Sequence, residues 1–73
     1  MSGIARRREY RARRFAAEQE LFRLQGRLQC AYSTFNHTAD PQLLEASILE
    51  ISSLQSRYAH ALRQLKALCE ETV

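Results

Sequence analysis

The sequence predicts an all-α protein: two long helices folded into an antiparallel, coiled-coil-like two-helix hairpin that assembles into a helical bundle as a dimer. Three observations carry this expectation. Apolar residues recur at alternating steps of three and four along nearly the whole chain. One Pro and two Gly are all that punctuate its 73 residues. The one sharp break falls at Asn36-His37-Thr38-Ala39-Asp40-Pro41. Steps of three and four put one residue per turn on a single seam of a helix, whereas a strand would need period-two alternation.

The first helix is expected over 4–36, with a basic segment, 1–14, continuing into it. Its seam reads Tyr10, Arg14, Ala17, Leu21, Leu24, Leu28, Ala31 and Phe35. Arg14 is the misfit, able to lay its aliphatic stem on apolar neighbours and keep its head in water. Gly26 stands alone inside this periodic stretch and costs about 1 kcal/mol relative to Ala in a helix. A turn follows at 37–40. Asp40 suits an N-cap, and Pro41 suits the first helical position, where its missing N–H would go unbonded anyway.

The second helix is expected over 41–71, with a seam through Leu44, Ile48, Ile51, Gln55, Tyr58, Leu62, Leu65 and Cys69. A short turn centred near residue 38 makes antiparallel partners sum to about 77, since both helices rise equally per residue. Leu24 then lies near Leu54, and Leu28 near Ile48 and Ile51. Leu43, Leu54, Ala61 and Leu68 form a further apolar stripe beside the second seam. Phe15 and Phe22 sit seven apart on the first helix, away from its seam. Two helices have no room to cover all of this, so these six residues are the expected self-association or partner interface. A homodimer or higher homo-oligomer is the first reading, and a groove for a foreign partner helix is the second.

Composition narrows the function. The chain is one domain at most and too short to bury a core around a catalytic cleft. No run of about 18 apolar residues offers a membrane span, and no apolar stretch behind the basic start suggests a secretory signal. Cys30 and Cys69, 39 residues apart, do not form a disulfide framework, and the hairpin would hold them roughly 33 Å apart at 1.5 Å per residue. A reducing, cytoplasmic setting fits better. Neither cysteine has metal-ligand company, so no metal and no cofactor is implied. Phosphate-binding, zinc-protease and nucleophile-elbow motifs are missing, and His37 and His60 lack catalytic neighbours. The protein is not expected to be an enzyme.

Charge is uneven. The chain carries +3 overall, while residues 1–14 hold Arg6, Arg7, Arg8, Arg11, Arg13 and Arg14 against Glu9 alone. Guanidinium groups suit phosphate, so nucleic-acid binding by this segment is the alternative function. An anionic membrane surface is a further candidate, with Ile4 and Phe15 as shallow anchors. The plain reading is a solvated helix end, with Glu70 and Glu71 returning beside Arg6, Arg7 and Arg8 in exposed pairs of little consequence.

The run Ala31-Tyr32-Ser33-x-Phe35, then Asp40-Pro41-x-Leu43-Leu44, Ile48-x-Glu50, Arg57-Tyr58, Leu62-Arg63 and Lys66 resembles the YaaL-like family of small uncharacterised bacterial proteins, a domain of unknown function. The resemblance covers roughly residues 28–67. It departs at Leu49, where members often have Tyr, and in its near-exclusive use of Arg over Lys. It implies a short basic-started helical protein and no active site. It draws attention to Asp40, Pro41, Arg57 and Tyr58, each of which has a structural reading: Asp40 and Pro41 start the helix, Tyr58 lies on the seam, and Arg57 bonds the helix end of a partner or stays in water. By shape alone, the hairpin is also similar to the needle-subunit co-chaperones of type III secretion, which clamp another protein's helix. The reading that follows is a small cytoplasmic helical-hairpin interaction or adaptor protein.

Overall fold

The computed structural model describes residues 2–70 and contains two helices, α1 (Ser2–His37) and α2 (Pro41–Glu70), packed against each other across a three-residue connection. The expected last residue of α2, residue 71, lies outside the described residues. The hairpin is a rod of 59 × 14 × 13 Å. Among the described residues no helix is long and apolar enough to cross a membrane.

The turn is built from local hydrogen bonds. At the end of α1, the Ser33 carbonyl lies 2.8 Å from Nδ1 of His37. A carbonyl can only accept, so His37 carries its proton on Nδ1 and ties its side chain back onto the last turn of α1. The Asp40 amide donates to Thr38 Oγ1 at 3.2 Å. Asp40 then accepts from the Gln42 amide through Oδ1 at 3.0 Å, while its carbonyl takes the first helical bond from Leu44 at 2.9 Å. Asp40 is thus the N-cap of α2, and Pro41 occupies its first turn.

Across the hairpin, Arg27 Nη2 reaches Glu50 Oε1 at 3.5 Å, and their numbers sum to 77. The core follows that register. Leu24 and Leu54, each 1% exposed, are its fully buried side chains, flanked by Ala31 and Ala61 and by half-buried Leu21, Leu28, Ile51 and Tyr58. The α1 seam matches the sequence expectation except at its two ends: Arg14 is exposed and bonded to Glu18, and Phe35 is 37% exposed.

The α2 seam keeps one of its two expected lines, Leu44, Ile51, Tyr58 and Leu65, and moves the other by one residue. Its buried line is Ser47, Leu54, Ala61 and Leu68, with Leu44, Ile51, Tyr58 and Leu65 half-buried beside it. Ile48, Gln55 and Cys69, expected on the seam, are exposed. Leu54, Ala61 and Leu68, expected as a surplus surface for a partner, are instead the inside of the hairpin. The physical reason is size. Ser47 and Ala61 look weaker than Ile48 and Leu62 on hydropathy alone. Yet α1 also presents small residues, Ala17 and Ala31, at the same heptad position as Leu24. Small residues facing small ones, alternating with Leu24 and Leu54, let the backbones approach and pack at native density.

Gly26 is helical with φ in the ordinary range, and a Cβ added there meets nothing within 4 Å. Gly26→Ala is therefore expected to stabilise the hairpin by about 0.5–1 kcal/mol, read as a higher thermal midpoint. The seam phase has its own check. Leu54→Ala should cost about 2–5 kcal/mol, whereas Ile48→Ala should cost about 0.5 kcal/mol or less for the fold. Equal losses at the two positions would contradict the observed phase.

Candidate functional site

Two surfaces flank the seam, and they differ in charge. The first is marked by the Arg27–Glu50 pair and by two shallow concavities. One holds Arg23, Cys30, Thr34, Leu43 and Ala46 around that pair, and the other joins Arg13, Ala16 and Glu20 to Gln64 and Ala67. Arg23 forks onto Glu20 at 3.0 and 2.7 Å. Those bonds hold the Glu20 carboxyl below the usual carboxylate range. Burial opposes the shift slightly, and the charges of Arg23, Arg57 and Arg27 reinforce it. A depressed carboxylate stabilises the fold above its unfolded pKa and loses that contribution as pH falls through its folded value. The pair is solvent-facing, so the effect is small.

The opposite flank is marked by Gln55, whose Nε2 donates to the Tyr32 hydroxyl at 2.6 Å. Around this bond lies a shallow apolar concavity formed by Tyr32, Phe35, Asn36, Ile48, Ile51 and Ser52. The heptad extends this flank along the rod. Phe22, Phe15 and Arg8 stand two, three and four heptads before Asn36. Glu45 stands one heptad before Ser52, with Ala59 and Lys66 one and two heptads after it. From Phe22 to Asn36 on α1, and from Ile48 to Leu62 on α2, this flank carries no charged side chain. Its exposed apolar groups are large: Phe22 is 74% exposed, Phe15 64% and Ile48 53%.

Of the six apolar residues expected to form an interface, Phe15 and Phe22 are exposed on the second flank, with Glu18, bonded to Arg14, one turn from each. Leu43 is exposed on the charged one. Leu54, Ala61 and Leu68 are inside. Tyr32 and Ile48 belong to the uncharged flank but were not among the six. A signal for them is present in the sequence: the stripe through Gln25, Gln29, Tyr32, Ile48, Ser52 and Gln55 lacks charge, while its mirror stripe is full of it.

At the Arg-rich end, Glu70 is level with residue 7 in the 77 register, so Arg8, Arg11, Arg13 and Arg14 lie alongside the described part of α2. All six Arg are exposed. Arg14 donates through Nε to Glu18 at 2.9 Å, and that bond, with lesser help from Tyr10, raises its guanidinium above the ordinary value. Among the described residues Arg6, Arg7, Arg8 and Arg11 form no ion pair. Glu71, expected beside them, lies outside the described residues. Arg57 is exposed and adds to the field on Glu20, and Tyr58 packs on the core.

Among the described residues no group of three or more His, Cys, Asp or Glu is placed to hold a metal ion. Comparison with protein-family models, with curated proteins and with solved structures finds no match to this chain.

Replacing Arg6, Arg7, Arg8 and Arg11 together with Gln should leave the helix content and the thermal midpoint essentially unchanged, because these side chains bond to nothing that the fold needs. A large drop in the midpoint, followed by circular dichroism, would show that the charges are structural.

Proposed function

We propose that this chain is a non-enzymatic protein-interaction module: a cytoplasmic helical hairpin that covers its uncharged flank with a second copy and so builds a four-helix bundle. The observation that supports this reading is the contrast between the two flanks. One satisfies itself with ion pairs and water. The other leaves two Phe and an Ile at half exposure or more, a pattern that marks an interaction site when contiguous. Helical bundles bury such stripes against each other. Membership of the YaaL-like family is part of the proposal, supported by Asp40-Pro41, which start α2, and by Arg57-Tyr58, of which Tyr58 packs on the core and Arg57 is exposed.

Light scattering on a sizing column tests the reading. The protein should run as a dimer at both low and high salt, since burial of apolar surface is not screened as ion pairs are. A Phe15→Ser, Phe22→Ser double variant should keep its helicity and run as a monomer. A folded wild-type monomer at every accessible concentration would contradict the proposal.

A second reading, nucleic-acid binding, draws support from Arg6, Arg7, Arg8 and Arg11, which are exposed and form no ion pair among the described residues. It predicts steep salt dependence. Neutralising about four phosphates gives a slope near −3.6 in log K against log salt on a DNA duplex. A flat slope, or no binding at low salt, would remove it.

A further inference from the structure

The Arg residues of the basic end do not share one side of the rod. Arg6 and Arg13 repeat the heptad position of Arg27 and belong to the charged flank, while Arg8 repeats that of Phe15 and Phe22 on the other flank, where Arg11 also stands. Arg7 and Arg14 lie between them, on the seam line of Leu21 and Leu28. At about 100° per residue the set fans over roughly 220° of α1. In its middle is half-buried Tyr10, with Arg6, Arg7, Arg13 and Arg14 three and four residues to either side, the nearest neighbours on a helix surface. Long helical side chains lean toward the N-terminus, so these groups converge at the end of the seam. A concavity of about 640 Å³ opens there. Among the described residues its lining comes from α1 alone: Tyr10, the four guanidiniums beside it, Arg11 and Glu9.

A partner that uses both flanks must bend round the rod. A DNA duplex holds its direction over about 150 bp, so it lies along one flank and leaves the Arg of the other in water. A bilayer is flat on this scale and does the same. A helix lying on a membrane also separates an apolar face from a basic one. Here Ile4 shares its heptad line with Arg11, and Phe15 with Arg8. A single strand turns within a few nucleotides. Its phosphates suit the guanidinium forks, and its bases can stack on an aromatic ring, which an acidic peptide chain cannot match.

We infer that the basic end binds single-stranded nucleic acid in preference to duplex, the strand crossing from one flank to the other past Tyr10 at the end of the seam. This rests on the nucleic-acid reading above and names the form of its ligand. Contacts to phosphates and to a base face read no base edge, so binding is independent of sequence.

Fluorescence anisotropy with labelled oligo(dT), oligo(U) and a mixed-sequence duplex, each of about 20 nucleotides to exceed a site of ~4–16, tests the inference. The single strands should bind roughly tenfold more tightly than the duplex, and the tighter of the two identifies the source as DNA or RNA. All the Arg residues are exposed, and circular dichroism checks that their variants stay folded. Arg6→Gln with Arg13→Gln, and Arg8→Gln with Arg11→Gln, should each weaken single-strand binding roughly tenfold. The duplex keeps the other flank in either variant and should weaken no more than about threefold. If a pair proves poorly folded, Tyr10→Leu keeps the seam apolar and should weaken the single strands while leaving the duplex unchanged. A duplex bound as tightly as the single strands, or a loss confined to one Arg pair, would overturn the inference and leave the nucleic-acid reading standing. Phosphatidylserine vesicles or polyglutamate bound as tightly as oligo(dT) would overturn it too. No binding of any nucleic acid at low salt would overturn both.

Discussion

The close approach of two helices through small residues at alternate layers governs the rest of this structure. Leu24 and Leu54 are buried because Ala31, Ala61 and Ser47 above and below them occupy so little room. That choice of seam fixes the rotation of α2 about its axis. Rotation in turn decides which side chains remain outside: Ile48, Gln55 and Cys69 face solvent, and with Phe15, Phe22 and Tyr32 they give one flank its lack of charge. Had the helices packed on the more hydropathic stripe, Ile48 and Leu62 would have been core, and Leu54 and Leu68 would have formed the exposed surface.

Much of the hairpin was legible from the residues because local signals agreed with one another. Asp40 and Pro41 specify a helix start with both side-chain and backbone chemistry, and a short turn leaves little freedom in register. The phase of α2 was not legible in the same way. A helix with apolar residues at two adjacent heptad positions has two candidate seams about 50° apart, and hydropathy favours the bulkier. Packing favours the complementary one, and only the partner helix reveals which that is. Small residues recurring every seven positions at 17 and 31 of α1 were the available hint.

For the candidate site, Phe15 and Phe22 stood out because nothing in α1 explained them. Tyr32, Ile48 and Glu45 did not, because their significance depends on which flank they share. The Arg cluster was conspicuous as composition. The structure adds that all six guanidiniums are exposed. Ion pairs crowd one flank, and on the other the Arg14–Glu18 pair separates Phe15 from Phe22.

Self-association through the flank of Phe15, Phe22 and Tyr32 is tested most directly by a distance across the dimer. Cys69 is exposed on that flank, level with residue 8 of α1. With Cys30→Ser removing the other thiol, a spin label at Cys69 reports on its counterpart in a second copy. Pulsed dipolar spectroscopy should return one defined distance, and Phe15→Ser with Phe22→Ser should abolish it. No dipolar coupling in the otherwise wild-type protein would mean that the flank does not receive a second copy.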